Sequence, residues 1–525
     1  MKRSEAPWQL AALAAILLLA LVLRLAPWGY NRFVEDEALY AYWGLQIATG
    51  ADPMLDEEPV DKPPLHPYTL ALSFLLSASS PDIGAGSGIG PGHESSARLP
   101  SLLASLASIV LVYTLALQLY GDARTGLLAA LLLALSPFDI LFASTAFTDP
   151  LMVALVLGAL VAAAGDRLGL AGLLAGLAVA TKQQGLFFLP LILTIGLLAP
   201  PKPAPQPGST TETVNTSRGT RLLAWIRRAW RQRWLRFALV FALVIACVLW
   251  WDLSRLQRPG FLEQGAISYG GLAPAQAGTL GQRGADWLAV LGAFWISPWF
   301  NALLIAALVG WLVGGFAGWW EAWSRIDVAL GVFSIAFLLL HWLVGFQVWD
   351  RYLLGLVPLL ALLAARASVA FLNALRAAPW RRIYAFALVA VLIVTLAAPV
   401  LAATRSELPV GGDHGAYDGI DHLATYMRTQ TPPGSVLYHY WLGYHYRFYL
   451  YGAPLRLHWY PDLDDLTRDA QIYRREPRYI AFPSWQDNGP VVSALNEAGI
   501  MLIPEYQTTR RDGSVSFELY RMGGP

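Results

Sequence analysis

Long apolar runs, separated by short polar turns, dominate the first 400 residues of the chain. A helix needs about 20 apolar residues to cross the hydrocarbon core of a bilayer. Runs of roughly 15–22 residues recur here, and we therefore predict about eleven membrane spans. They lie near residues 8–28, 98–119, 126–143, 150–165, 168–181, 184–199, 235–252, 298–317, 327–345, 353–369 and 383–402.

Composition supports a membrane protein. The 525 residues are 56% hydrophobic and only 14% charged, whereas soluble domains carry about 25% charged residues. The mean hydropathy of +0.46 would leave too much apolar surface exposed in a soluble fold of this size. A net charge of +1 gives no reason to expect a nucleic-acid partner. Cys247 is the sole cysteine, which excludes an intramolecular disulfide, and we expect it to be a buried apolar residue.

Basic residues predict the orientation. The segment 200–236 is strongly basic and must be cytoplasmic by the positive-inside rule, as must the loop near Arg381. The residues concerned are Lys202, Arg218, Arg221, Arg227, Arg228, Arg231, Arg233, Arg236, Arg376, Arg381 and Arg382. Lys2 and Arg3 precede the first apolar run, and no small-residue cleavage site follows it, so we expect an uncleaved first span. The N-terminus is then cytoplasmic and the C-terminal segment lies outside a plasma (inner) membrane.

Two regions interrupt the apolar pattern. Residues 29–97 form a predicted external loop, with an interfacial helix over Leu65 to Ser77 and a Gly/Ser/Pro-rich connector over 81–92. Residues 403–525 are polar and aromatic, which predicts a small soluble α/β domain after a transmembrane domain over 1–402. Expected elements of this domain are helices over 417–428 and 491–498 and strands over 435–440, 478–483 and 513–521. The segment 200–220 reads as a disordered linker.

Adjacent carboxylates follow the first span, at Asp36 and Glu37, close to Tyr40. Paired acids on a loop are most often solvated surface. Beside an apolar membrane face, however, desolvation raises the proton affinity of a carboxylate and makes it a better base. Such a base would take a proton from an acceptor hydroxyl.

Cations stand at four predicted outer boundaries of spans: Lys62, Arg98, Lys182 and Arg351. Each alone is explained by a side chain that reaches to the headgroups, and Arg351 also by pairing with Asp350. Together they suit an anionic lipid phosphate, which they would stabilise as a leaving group.

Other polar residues carry weaker signals. Asp149, before Pro150, is typical of a helix N-cap and would also orient an acceptor or a cation. His341 lies inside a predicted span, where we expect a neutral, hydrogen-bonded histidine. His439 and His445 lack metal-ligand spacing and are expected to be packing residues. No Walker A loop, GxGxxG, HExxH or GxSxG motif occurs in the sequence, so binding of a soluble nucleotide cofactor is not predicted.

The order of these motifs resembles the GT-C glycosyltransferases, specifically the group of protein O-mannosyltransferases and aminoarabinose transferases (families 39 and 83). The resembling pieces are Asp36-Glu37-Ala38-Leu39-Tyr40-Ala41, Lys62-Pro63-Pro64-Leu65, Ala97-Arg98-Leu99-Pro100-Ser101, Tyr120-Gly121 to Ser136-Pro137, Thr148-Asp149-Pro150, Gly172 to Thr181-Lys182-Gln183 and Arg351-Tyr352-Leu353-Leu354. Coverage is good over roughly the first 200 residues and thin beyond.

The resemblance implies a polyprenyl-phosphate sugar as donor, an outward-facing site, and inversion in one displacement without a metal. It implies that Asp36 is the base with Glu37 beside it, and that Lys62 and Arg98 contact the donor phosphate. We add Lys182 and Arg351 to the residues expected to bind the donor phosphate. The residues expected to orient the acceptor are Asp149, Tyr40 and Tyr352. Leu39 stands where aminoarabinose transferases have a basic residue, and no MIR domain fits the loops.

The predicted fold is therefore a mainly α, polytopic GT-C bundle, and the predicted enzyme a hexosyl- or pentosyltransferase embedded in membrane lipid. The acceptor hydroxyl belongs to a protein, a lipid or a glycan. A transporter or flippase of lipid-linked sugars is the main alternative, although such proteins tend to show repeats and broken helices with polar groups at the midplane. A non-catalytic scaffold that presents 403–525 is the third reading, and would not need Asp36 or Lys62.

Overall fold

The computed structural model describes residues 7–77, 91–198, 218–255, 259–269, 271–317, 323–374 and 381–523. Helices dominate the first part of the chain. They are α1 (Pro7–Leu25), α2 (Glu35–Thr49), α3 (Leu65–Ser77), α4 (Pro91–Tyr120), α5 (Ala123–Ala134), α6 (Pro137–Ala143), α7 (Asp149–Ala164), α8 (Leu168–Thr181), α9 (Leu189–Leu198), α10 (Arg218–Ser254), α11 (Phe261–Tyr269), α12 (Leu280–Gly292), α13 (Pro298–Phe316), α14 (Arg325–Leu343), α15 (Val357–Ala374) and α16 (Arg381–Thr404).

The eleven predicted apolar segments all contain helix, but they differ in length. Within the described residues, seven helices are long and apolar enough to cross a membrane, or eight if the pair α5 and α6, bent by 64°, is one span. The other three segments are shorter: α7 has 16 residues, α8 has 14, and 183–198 combines a 3₁₀ turn with α9. Fourteen residues of helix span only about 21 Å, less than the roughly 30 Å hydrocarbon core.

The predicted loops are more ordered than the sequence suggested. The region 29–97 contains α2, α3 and the start of α4. The acidic residues near its beginning form the first turn of α2 and do not lie on an open loop. The helix predicted over Leu65–Ser77 is present as α3. The region 253–297, between the predicted spans over 235–252 and 298–317, likewise contains two helices, α11 and α12. Of the connector predicted over 81–92, residues 81–90 lie outside the described residues, and 91 and 92 begin α4. Residues 200–217 of the linker also lie outside the described residues.

Helix α10 corrects two expectations. It begins at Arg218, inside the segment expected to be a disordered linker, and continues into the span without a break. Cys247 on this helix is exposed, not buried. Helix α8 packs closely against α10 because Gly172 on α8 has no side chain. A Cβ at this position would lie 2.4 Å from the carbonyl oxygen of Phe237 on α10. Small residues of this kind allow membrane helices to approach closely.

After α16 the chain forms helices α17 (Ile420–Gln430), α18 (Gly443–Tyr449), α19 (Leu463–Ile472) and α20 (Gly489–Glu497), and strands β1 (Val436–His439), β2 (Arg456–Trp459), β3 (Arg478–Pro483), β4 (Met501–Thr509) and β5 (Val515–Gly523). The strands form one sheet in the order β2-β1-β3-β5-β4. The pairs β1–β2 and β1–β3 are parallel, whereas β3–β5 and β4–β5 are antiparallel. The predicted α/β character is confirmed, and the prediction missed β2, β4, α18 and α19.

This C-terminal region packs on the first polar helix and on the loop after it. His445 Nε2 donates to the Phe33 carbonyl (2.8 Å), and Arg447 pairs with Glu58 (3.2 Å). Tyr451 and Thr49 share a hydrogen bond of 2.6 Å between their hydroxyls. The sheet region is therefore fixed against the residues that flank Asp36.

Candidate active site

The candidate site begins at the N-terminus of α2. Glu35, Asp36 and Glu37 occupy its first turn, where negative charge is favourable because of the helix dipole. Val34, in extended conformation, is the N-cap residue, and its N–H donates to Oε2 of Glu37 (3.1 Å). The same sequence that marked a reactive loop is therefore a helix start, and this start determines where each carboxylate points.

Glu37 faces inward and is buried. Its Oε1 accepts the N–H of Ala146 (2.7 Å), so both oxygens receive backbone hydrogen bonds and the side chain joins α2 to the turn before α7. Burial raises the pKa of Glu37 to about 7. These contacts fit a positioning residue better than one that meets substrate.

Asp36, unlike Glu37, keeps 31% of its side chain exposed. Its Oδ2 accepts a hydrogen bond from Nη2 of Arg351 at 2.6 Å. The guanidinium of Arg351 is itself buried between the rings of Phe147 (4.5 Å) and Trp349 (4.9 Å). A fixed cation with an aromatic cradle thus lies beside a partly open carboxylate.

A second ion pair joins Lys182 Nζ to Asp149 Oδ1 at 2.5 Å. Both side chains are buried, and the ammonium also lies 4.5 Å from the centre of the Tyr352 ring. Asp149 is the first residue of α7 and Thr148 is its N-cap, so the predicted N-cap position was wrong by one residue. The Thr148 hydroxyl instead donates to Oδ2 of Asp149 (3.2 Å).

The third cation, Lys62, lies between Asp61 and Tyr269. Its Nζ donates to Asp61 Oδ2 (2.7 Å) and to the Tyr269 hydroxyl (2.8 Å). Gln183, next to Lys182 in sequence, donates to the Asp61 carbonyl (2.7 Å) and so connects the second and third pairs. Sequence reasoning missed Asp61 and Tyr269. The first was visible as the direct neighbour of Lys62, but nothing marked α11 as part of the site.

Tyr40 is buried one turn after Asp36 and packs edge-on against His66 (5.7 Å between ring centres). His66 Nε2 donates to the Ala146 carbonyl at 2.8 Å, so Ala146 is held by α2 and by α3. Burial lowers the pKa of His66 to about 4, which keeps the ring neutral at pH 7. Tyr40 therefore braces the turn that carries Asp149. His66 was not singled out from the sequence.

Arg98 is in a separate network. It is almost fully buried and donates to the carbonyls of Trp28 (3.0 Å) and Asn31 (2.8 Å), with an ion pair to Glu94 (3.2 Å). Trp28 and Asn31 belong to the segment that leads into α2, whereas Glu94 lies one turn before Arg98 on α4. The structure thus assigns to Arg98 contacts that stabilise this turn, apart from the contacts that join the other three cations.

His341 and the two histidines of the C-terminal region are packing residues in this structure. His341 bonds Gln184 (2.9 Å) and the Phe337 carbonyl (2.8 Å), and His439 and His445 are buried. Over the part of the chain that the structure describes, no three His, Cys, Asp or Glu side chains come together in a way that would hold a metal ion.

Three cation–carboxylate pairs therefore converge: Arg351–Asp36, Lys182–Asp149 and Lys62–Asp61. The cations are buried and have aromatic rings against them, while Asp36 keeps partial access to solvent. In surroundings of low dielectric constant, cations held in this way stabilise a developing phosphate charge strongly. The arrangement suits displacement of a phosphate with proton removal by Asp36.

The chain has the GT-C glycosyltransferase fold, as the sequence resemblance predicted, and a profile described as dolichyl-phosphate-mannose-protein mannosyltransferase matches residues 61–204. Two solved structures of ArnT from Cupriavidus metallidurans are similar over 98% of this chain. One is bound to undecaprenyl phosphate and the other is the apo state, each with a TM-score of 0.59 and 15% identity, covering 98% and 97% of the ArnT chain.

A mycobacterial structure has the same fold within a longer chain. The arabinofuranosyltransferase AftD from Mycobacteria matches with a TM-score of 0.51 and 16% identity, over 98% of this chain and 41% of its own. No curated protein sequence matches significantly. At these identities the similarity establishes the fold of an integral membrane protein, and the reaction has to be argued from the site.

Proposed function

We propose that this protein transfers a sugar from a polyprenyl-phosphate donor to the hydroxyl of an extracytoplasmic acceptor, with inversion. The observation that carries the proposal is the contact between Asp36 and Arg351, which places a partly open carboxylate beside a buried cation. The match of 61–204 to a mannosyltransferase profile and the undecaprenyl phosphate bound by ArnT support the donor class.

The proposed reaction forms one bond at the anomeric carbon, breaks another there, and transfers one proton. The acceptor oxygen attacks the anomeric carbon, the bond from that carbon to the phosphate oxygen breaks, and its electron pair stays with the departing polyprenyl phosphate. The acceptor proton passes to Oδ1 or Oδ2 of Asp36. A phosphodiester with one charge thereby becomes a phosphate monoester, which carries nearly two at pH 7 because its second pKa is about 6.

The cations account for this added charge. Arg351, Lys182 and Lys62 each hold one carboxylate in the structure, so every cation has a partner that a phosphate oxygen can replace. When the donor phosphate binds Arg351, an oxygen of Asp36 becomes available to accept the acceptor proton. Exchange of this kind links donor binding to activation of the base.

The remaining residues position these groups. Glu37 and Tyr40 hold the turn before Asp149, and Asp149 orients Lys182. Tyr352 supplies the ring beside Lys182. Arg98 acts at a distance through the turn before α2. All the chemistry proposed here is electrostatic and acid–base, so we propose that the reaction needs no metal.

The proposed membrane orientation places residues 1–402 in and around the plasma membrane, with 403–525 outside. It rests on the basic residues of 218–236, because positive charge remains cytoplasmic. A Cys247→Ala background with Gln430→Cys, at the exposed end of α17, tests it in intact cells. Labelling by a membrane-impermeant maleimide is expected before lysis, and labelling only after lysis would reverse the orientation.

Release of polyprenyl phosphate tests the reaction. Purified protein in nanodiscs is incubated with a panel of undecaprenyl-phosphate hexoses and pentoses and a membrane extract as acceptor source, and the lipid phosphate is measured by mass spectrometry. Asp36→Asn is expected to reduce release by a factor of 10² to 10⁴, the usual contribution of a general base. Glu263→Gln, an exposed acid on α11, is the matched control and is expected to retain wild-type rates.

The outcomes separate the three readings. Release by wild type and Glu263→Gln but not by Asp36→Asn supports the transferase and identifies the donor sugar. Movement of intact donor across the bilayer without release would favour a transporter. Retention of biological function by Asp36→Asn, without release by any variant, would favour a scaffold.

A further inference from the structure

A cleft lies at one end of the C-terminal sheet, and no residue of the three ion pairs lines it. Its lining residues follow the strands β1, β2 and β3, which run parallel, so the segments after all three emerge at the same edge. This is the edge at which open α/β sheets bind ligands. The cleft measures about 540 Å³, within the usual range for small-molecule sites.

Aromatic side chains form its walls. Tyr440 and Trp441 follow β1, Tyr460 follows β2, and Trp485 follows β3. Tyr460 is buried, but Trp441 is 57% exposed and Trp485 44% exposed. Two large indole faces left open in one concave site mark a surface for contact with another molecule, because folding normally removes such area from water.

Two carboxylates stand among these rings. Asp462 accepts the N–H of Asp465 through Oδ1 (2.8 Å) at the start of α19, and Asp487 accepts the N–H of Gly489 through Oδ1 (3.0 Å) before α20. In each residue one carboxylate oxygen is hydrogen-bonded to the first turn of a helix, and this bond fixes the orientation of the side chain. Both line the cleft, and their negative charge disfavours an anionic ligand such as a phosphate headgroup.

We propose that this cleft binds a saccharide segment of the acceptor, with sugar rings stacked on Trp441 and Trp485 and hydroxyls bound by Asp462 and Asp487. A sugar ring has an apolar face of C–H groups and a rim of hydroxyl donors, and open indole faces beside fixed carboxylates match both. This inference rests on the proposed function and narrows its acceptor from any hydroxyl to a glycan or glycolipid.

The cleft is also close to the candidate base. The ring of Trp485 lies 6.3 Å from that of Tyr417, whose hydroxyl donates to the carboxylate of Glu35, the residue before Asp36. His445 stacks on Tyr417 (4.3 Å) and its bond to Phe33 fixes this contact to the start of α2. A glycan held in the cleft is thus two side chains away from the first turn that carries Asp36.

Calorimetric titration of the intact protein tests the inference. Nanodiscs replace maltoside detergents, whose sugar headgroups would compete. The probes are mannotetraose, maltotetraose and chitotetraose, with tetramethylammonium as a cationic comparison. Wild type is expected to bind at least one tetrasaccharide. Trp441→Ala and Trp485→Ala are each expected to weaken this binding about tenfold or more, because aromatic residues contribute most to such contacts.

Trp459→Ala is the matched control. Trp459 is 56% exposed, close to the 57% of Trp441, and belongs to the same sheet, but does not line the cleft. Its replacement is expected to leave saccharide binding unchanged. Equal losses in all three variants, absence of binding by every tetrasaccharide, or binding of tetramethylammonium alone would each overturn the inference.

The result is independent of the reaction itself. Asp36→Asn is expected to bind the tetrasaccharide as wild type does, because the titration needs no donor. Release of polyprenyl phosphate without any saccharide binding would refute the cleft and leave the transferase intact. Saccharide binding without release from any donor would refute the transferase and leave the cleft as a glycan-binding site.

Discussion

The pair of Lys182 and Asp149 gives a sharp test, since its structural and functional roles can be separated. Asp149→Asn keeps the shape of the side chain but removes its charge, and so leaves a buried ammonium with no counter-charge at 2.5 Å. Removal of one partner from a buried ion pair costs about 3–5 kcal/mol. We therefore expect a clear loss of stability.

The size of this loss follows from the length of the chain. The unfolding entropy is about 2.1 cal/mol/K per residue, so for a chain of 525 residues each kcal/mol of lost stability lowers Tm by about 1 °C. Asp149→Asn should then lower Tm by about 3–5 °C, measured by fluorescence melts in nanodiscs. Glu407→Gln is the control, because Arg405 and Glu407 are 61% and 55% exposed and 3.9 Å apart, and such pairs contribute little.

The double variant Asp149→Asn/Lys182→Met supplies the decisive comparison. It removes the stranded charge and keeps the volume, so Tm should return to near the wild-type value. If Lys182 also binds the donor phosphate, the KM for the donor should be higher in the double variant than in the wild type, although the double variant is stable. A double variant as unstable as Asp149→Asn would refute the argument from the buried charge. A wild-type KM would remove Lys182 from the phosphate site.

Three further predictions concern other parts of the molecule. Burial raises the pKa of Glu37 from an ordinary 4.5 to about 7, so folding takes up a proton between these pH values. The stability of the protein should therefore fall as pH rises from about 4.5 to about 7. Melts of Glu37→Gln over the same pH range should lack this fall. Gly172→Ala should reduce the yield of folded protein by forcing α8 from α10, while Gly169→Ala, whose Cβ would meet nothing nearer than 4.0 Å, should express normally. Dialysis against EDTA should leave transfer rates unchanged, and a loss restored by one divalent cation would contradict the metal-free proposal.

Much of the architecture followed from local patterns. Apolar periodicity and charge gave the membrane class, and strand β3 lies at 478–483 as predicted, because four to eight residues of alternating or apolar pattern suffice to specify a strand. Motif order also marked the three converging cations and two of their carboxylate partners, Asp36 and Asp149, but not Asp61. These features depend on residues near one another in the chain, and a sequence displays them directly.

The pairing of these groups was decided by the tertiary structure. Arg351 meets Asp36 across 315 positions, and Lys182 meets Asp149 across 33, whereas Arg98 is drawn into the turn at Asn31. No spacing in the sequence distinguishes Arg98 from the other cations, because all stand beside apolar segments. Their fates depend on which helices pack together and at what angle. The sequence by itself therefore determined the kinds of chemical group present, and helix packing determined which of them share a site, since a charge in a low-dielectric interior must lie where another chain segment brings a partner.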